Sequence, residues 1–155
     1  MKNWYIDNDI ETYIIMLRRL NNELHKSDKI THTNFDENNK ELTFIYDNSS
    51  FASITIPSGY PFYPPKQLHV NYQPIIYYHL GNKRIIWKYF NIRCICCTSI
   101  TCPENWVPCR TLEHIMEEYY RFKFIINASI VIGYIEQQNK LPYDMIRYII
   151  AFING

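Results

Sequence analysis

The amino-acid sequence predicts an α+β fold: an N-terminal helix, an antiparallel meander sheet of about four strands, then C-terminal helices. Three observations predict it. Apolar residues near the start recur at three- and four-residue steps, alternation takes over as far as residue 72, and helical spacing returns beyond Pro108.

Ile10, Tyr13, Ile14, Leu17, Leu20 and Leu24 place one apolar stripe on a helix over residues 9–25, and Asn8 with Glu11 has the form of a capping box. Residues 41–46 and 51–56 alternate around Asp47, Asn48, Ser49 and Ser50, a set of turn formers, and so predict an antiparallel hairpin. Pro57 to Pro65 excludes regular structure, and residues 67–72 resume alternation as another strand. Residues 75–80 and 83–92 bracket Gly81-Asn82, which reads as a tight hairpin turn.

Leu112, Ile115, Met116, Tyr119 and Tyr120 predict a helix running toward Gln138 in one or two pieces. A last amphipathic helix over 141–153 has Pro142 in its first turn and Ile146, Ile149, Ile150 and Ile153 on one side. Residues 1–155 read as a single domain.

Composition limits what this domain does. Sixteen basic against fifteen acidic residues give a net charge of +1, without the basic excess that favours nucleic acid. No apolar run reaches the ~20 residues that span a bilayer, and the longest, Phe124 to Ile135, is broken by Asn127, Ser129 and Gly133. The start lacks the apolar core of a signal peptide. The expectation is a cytoplasmic protein with neither a nucleic-acid nor a membrane partner. Abundant Asn, Ile, Lys and Tyr beside three alanines is what an AT-rich genome encodes, as in a protist or a large DNA virus. For a viral protein the expected location is the host cytoplasm or the virion.

Two motifs stand out: Tyr60-Pro61-Phe62-Tyr63-Pro64-Pro65, and Trp106-Val107-Pro108 with a cysteine cluster just upstream. In this order, with the helix and meander before them, they resemble the ubiquitin-conjugating (UBC) family over roughly residues 8–120. Thr111, Leu112, Ile115 and Met116 fill the family's places after the tryptophan.

The resemblance implies a carrier of ubiquitin or a ubiquitin-like protein, held as a cysteine thioester for transfer to lysine. Its partners would be an activating enzyme and a ubiquitin ligase. Thiolate suits this chemistry because it is both a good nucleophile and a good leaving group. Cys96, after Ile95 and ten residues before Trp106, and Cys97, nine before it, are the candidate nucleophiles. Trp106 and Pro108 would shape the adjacent loop, and Phe62, Pro108, Arg18 and Arg19 would face partners.

The family's His-Pro-Asn tripeptide, whose asparagine supports the oxyanion, has no counterpart at Lys88-Tyr89. His79 to Asn82 is a displaced echo of it, and Asn91 is the nearest asparagine to the cysteines. A catalytically inactive UBC-like binding module is therefore a second reading. A third is a structural or zinc-stabilised assembly protein, because all five cysteines fall within sixteen residues. Their C-x-C-C-x4-C-x6-C spacing lacks the paired pattern of zinc sites, so neither metal nor cofactor is expected, and the spare thiols read as small buried apolar residues. Five scattered histidines form no ligand pair, and Trp4 and Trp87 read as packing residues. Leu141 to Ile150 also resembles the opening helix of an F-box, although a helix closing the domain's own core explains it more simply.

Overall fold

Strand pairing follows the turn chemistry of the residues between the strands. A computed structural model describes residues 4–74, 81–138 and 141–154, and the side chains of 9–74, 81–138 and 141–151. Its strands β1 (Ile30–Asp36), β2 (Glu41–Tyr46), β3 (Ser50–Thr55), β4 (Lys66–Val70) and β5 (Gln73–Pro74) form one antiparallel sheet in the order β1-β2-β3-β4-β5. Tyr46 pairs with Ser50 across a turn in which Asp47 and Asn48 take positive φ, a conformation their short polar side chains tolerate. Between β1 and β2 the Asp36 carboxylate accepts from the backbone N–H groups of Asn38 and Asn39 and from the Asn39 amide. These bonds, the Asn39 side chain first, hold the Asp36 carboxyl below its ordinary value.

The helices are α1 (Trp4–Lys26), α2 (Lys83–Phe90), α3 (Ile95–Thr98), α4 (Leu112–Gln137) and α5 (Tyr143–Asn154). The described chain divides into two compact units: Met1–Ile75 with Ser99–Glu118, and Ile76–Thr98 with Tyr119–Gly155.

In the first unit Leu42, Phe44 and Tyr46 alternate inward from β2, joined by Ala52, Ile54, Val70, Met16 and Leu20. The buried face of α1 is Met16, Leu20 and Glu23, whereas Ile10 and Ile14 of the expected stripe are exposed. The helix also begins at Trp4, so Asn8 lies within it and cannot cap it. The buried face is thus centred on Met16, Leu20 and a carboxylate, which no hydropathy pattern registers. The sheet has a further two-residue strand, and the strand expected over 67–72 ends at Val70, where Asn71 and Tyr72 turn the chain with positive φ.

The second unit corrects the expected Gly81-Asn82 hairpin. Asn82 is the N-cap of α2, its side-chain oxygen accepting from Ile85 N–H, and Gly81 has φ +89°. Ile85, Ile86, Tyr89 and Phe90 are paired at four-residue spacing, which is one helix face, and Ile85 and Ile86 are buried. Ile86, Ile95, Phe122, Ile125 and Ile126 form one apolar cluster, and Ile85, Ile132 and Ile146 another. Two of the three breaks in the greasy run have structural roles: Ser129 Oγ accepts from Asn82 N–H, and a side chain at Gly133 would collide with the Asn82 amide.

Helix α5 closes the second cluster with Ile146, flanked by Leu141 and Ile150, while Ile149 is 44% exposed and so leaves the expected inner face. Trp87 is 58% exposed and is not a packing residue. Among the described residues no helix is long and apolar enough to cross a membrane. Residues 75–80, including His79, lie outside the described residues, as do Asn139 and Lys140, and the side chains of Trp4, Asn8 and Ile153 are likewise not described.

Candidate functional site

The first unit brings the two sequence motifs together. The Trp106 indole N–H donates to the Pro61 carbonyl at 2.7 Å, and the Trp106 and Tyr60 rings lie 6.1 Å apart between centroids. The Tyr60–Pro61 peptide is cis. Tyr60 is buried, and its hydroxyl donates to Glu23 Oε1 at 2.5 Å. Burial first, then the Glu23 charge, pushes the Tyr60 phenol up, so it remains a donor at physiological pH.

The same carboxylate accepts from Arg19 Nε at 2.5 Å and, through Oε2, from Leu112 N–H at 3.0 Å, the first residue of α4. Glu23 therefore ties α1, the proline loop and the start of α4 to one buried group. A buried carboxylate needs such company, because an uncompensated charge in a core is costly.

A second buried carboxylate organises the loop that carries the tryptophan. Glu118 accepts from Ser99 Oγ at 2.7 Å and from Ile100 N–H at 2.8 Å. The Asn105 amide donates to the Ser99 carbonyl, which fixes the turn just before Trp106. Thr111 and His114 cap α4 reciprocally: Thr111 N–H donates to His114 Nδ1, and His114 N–H donates to Thr111 Oγ1. His114 thus takes the place that Glu or Gln holds in the usual capping box.

Of the residues expected to face partners, Phe62 is 65% exposed and its neighbour Tyr63 equally so. Pro108 and Arg18 are exposed. Arg19 is half-buried, engaged with Glu23 and with the Arg110 carbonyl, and serves chiefly as an internal tie.

The second unit holds the candidate nucleophiles. Helix α3 is a single turn whose Ile95 is buried in the Ile86 and Phe122 cluster, so Cys94, Cys96 and Cys97 fall on its outer side. The Cys94 carbonyl accepts from Thr98 N–H and Oγ1, which closes the turn. Cys94 Sγ lies 2.7 Å from Cys96 Sγ, and Cys96 Sγ lies 3.8 Å from Cys97 Sγ.

None of the five cysteines is buried or in a disulfide, which corrects the expectation of small core residues: Cys94, Cys96 and Cys102 are half-buried, Cys97 and Cys109 exposed. Hydrogen bonding from Cys96 lowers the Cys94 thiol to about 7, while hydrogen bonding to Cys94 raises the Cys97 thiol to about 12. Cys94, which lies outside the motif spacing, is therefore held as thiolate more readily than Cys97. Three sulfurs on one turn are visible in the sequence as C-x-C-C. In the first unit, Cys109 borders a cleft of about 230 Å³ with Arg19, Asn22, Lys26 and Thr111.

Asn82 and Asn91 are both engaged by α2. Asn82 caps its start, and Asn91, with φ 55°, ends it by donating its backbone N–H to the Trp87 carbonyl. Comparison with models of known protein families, with curated proteins and with solved structures found no match.

Proposed function

We propose that the chain is a UBC-like protein that carries ubiquitin or a ubiquitin-like protein as a thioester on Cys96 and transfers it to lysine. The observation that supports this reading most is the hydrogen bond from Trp106 to Pro61, which seats the tryptophan motif on the proline motif within the unit built from α1 and the meander sheet. The exposed Phe62 of the proline loop supplies a docking residue for a ligase. Cys96 is preferred over Cys97, whose raised thiol stays protonated near neutral pH.

In this reading the Cys96 thiolate attacks the thioester carbonyl carbon presented by an activating enzyme. A new C–S bond forms, the old one breaks, and the activating enzyme's sulfur leaves as thiolate. A lysine amine then attacks the same carbon, Cys96 leaves as thiolate, and the amine's proton passes to solvent. Incubation with activating enzyme, ATP and ubiquitin or a relative should give an adduct cleaved by added thiol and absent from Cys96→Ser. Absence of that adduct across several ubiquitin-like proteins would remove the acyl-carrier reading.

One observation favours the second reading, a binding module without acyl transfer. Both candidate oxyanion-supporting asparagines are held as helix caps, Asn82 by its side chain and Asn91 by its left-handed backbone. Under that reading ubiquitin or a ligase binds without forming the adduct, and Phe62→Ala weakens the binding while Cys96→Ser leaves it unchanged.

A further inference from the structure

Three sulfur atoms converge in the second unit. The Sγ atoms of Cys94, Cys96 and Cys97 all lie within 4.8 Å of one another on the turn anchored by Ile95. We propose that these three cysteines bind one copper(I) ion as a three-thiolate site, an inference that goes beyond the acyl-carrier reading and does not rest on it.

Thiolates are soft donors that select copper(I) and zinc among biological metals. The number of donors separates the two. Structural zinc is almost always held by four protein ligands in a tetrahedron, and among the described residues this group offers three. Three thiolates complete a trigonal shell for a monovalent d10 ion without a fourth ligand.

The spacing fits as well. Metal–sulfur bonds of about 2.3 Å in a trigonal plane put the sulfurs about 4 Å apart. Cys96 and Cys97 already stand at 3.8 Å, and Cys94 and Cys96, at 2.7 Å, reach that separation by a rotation of one side chain. Ile95 in the core and the bonds from Thr98 to the Cys94 carbonyl hold the turn that carries the three sulfurs. Half-buried and exposed sulfurs leave the ion a path from solvent.

Binding displaces the thiol protons to solvent and changes no oxidation state, since the metal arrives as copper(I). An ion bound by all three sulfurs occupies the lone pairs needed for acyl transfer, so a loaded site and a loaded thioester exclude each other.

The test is an anaerobic titration of the full chain with copper(I), in competition with a chromogenic copper(I) chelator. The expected result is one ion per chain. Each of Cys94→Ser, Cys96→Ser and Cys97→Ser should weaken binding by more than the roughly tenfold at which even outer-shell losses begin. Cys102→Ser and Cys109→Ser should match the unmodified chain. Circular dichroism establishes that each variant is folded, and if one is not, the corresponding Cys→Ala variant replaces it.

Undiminished binding in any of the three variants, or equal losses in the Cys102 and Cys109 variants, overturns the proposal. So does a parallel titration in which zinc displaces copper(I) at equal concentration. Thioester formation is assayed separately on metal-free protein, so its failure leaves the copper result standing and the converse also holds.

Discussion

The two units of this protein are fastened by different physics. In the first, two buried carboxylates gather polar groups: Glu23 joins Tyr60, Arg19 and Leu112 from segments far apart in sequence, and Glu118 holds the adjacent Ser99 and Ile100. In the second, the buried polar side chain among the described residues is a hydroxyl, Ser129, and packing falls to isoleucines and Phe122, with the Glu136 ion pairs at the surface. Directional bonds to charge fix where particular atoms sit, whereas aliphatic packing fixes volume and tolerates small displacements. The unit that pins the tryptophan motif to the proline motif uses the directional kind. The unit that carries the thiol turn uses the other.

The sharpest way to break this contrast is Glu23→Ala. It strands the Tyr60 hydroxyl, the Leu112 N–H and the Arg19 guanidinium together, and should lower unfolding stability in urea by about 3–5 kcal/mol, the range for breaking a buried pair. A loss as small as that of a surface substitution would mean that the carboxylate is not the fastening of the first unit.

Volume is the corresponding test of the second unit. Ile85→Ala, in the cluster with Ile132 and Ile146, should cost about 2–5 kcal/mol, and Ile85→Val only about 0.5–1.5 kcal/mol. Amide hydrogen exchange should place the weakened protection in α2 and α5 for these variants, and in α1 and the proline loop for Glu23→Ala.

Smaller is the cap of α4. Thr111→Ala leaves the His114 N–H without its acceptor and should cost about 0.5–2 kcal/mol, read as a fall in the thermal midpoint.

The smallest effect is electrostatic and depends on pH. The Lys88 hydrogen bond, followed by that of Tyr89, holds the Glu136 carboxyl below its ordinary value of 4.5. A carboxyl depressed on folding contributes stability above its unfolded pKa and loses that contribution as pH falls through the folded value. Glu136→Gln should therefore melt slightly below the unmodified chain near neutral pH, and the gap should close in acid. A gap that widened in acid would reverse the assigned sign.

Part of the site was legible in the sequence. The β2–β3 hairpin, the α4 helix and the order of the two motifs came from alternation, spacing and proline placement, which act over a few residues. The start of α2 is not legible, because Gly-Asn serves a hairpin and a helix cap alike. Only the neighbouring Ser129 and Gly133, nearly fifty residues on, decide between them. Spacing from Trp106 points to Cys96 and Cys97 and not to Cys94, whereas the chemistry of a thiol depends on which other sulfurs surround it.

By itself, the sequence determined the α+β class, most of the helices and strands, and the presence of five thiols in one short stretch, because periodicity and turn chemistry are local properties. Only the tertiary structure decided that α1 buries a carboxylate, that Trp106 rests on Pro61, and that Ile95 enters the core while the sulfurs of Cys94, Cys96 and Cys97 converge outside it. Each of these depends on partners brought together through space, and a buried charge acquires its chemistry from such partners rather than from its neighbours along the chain.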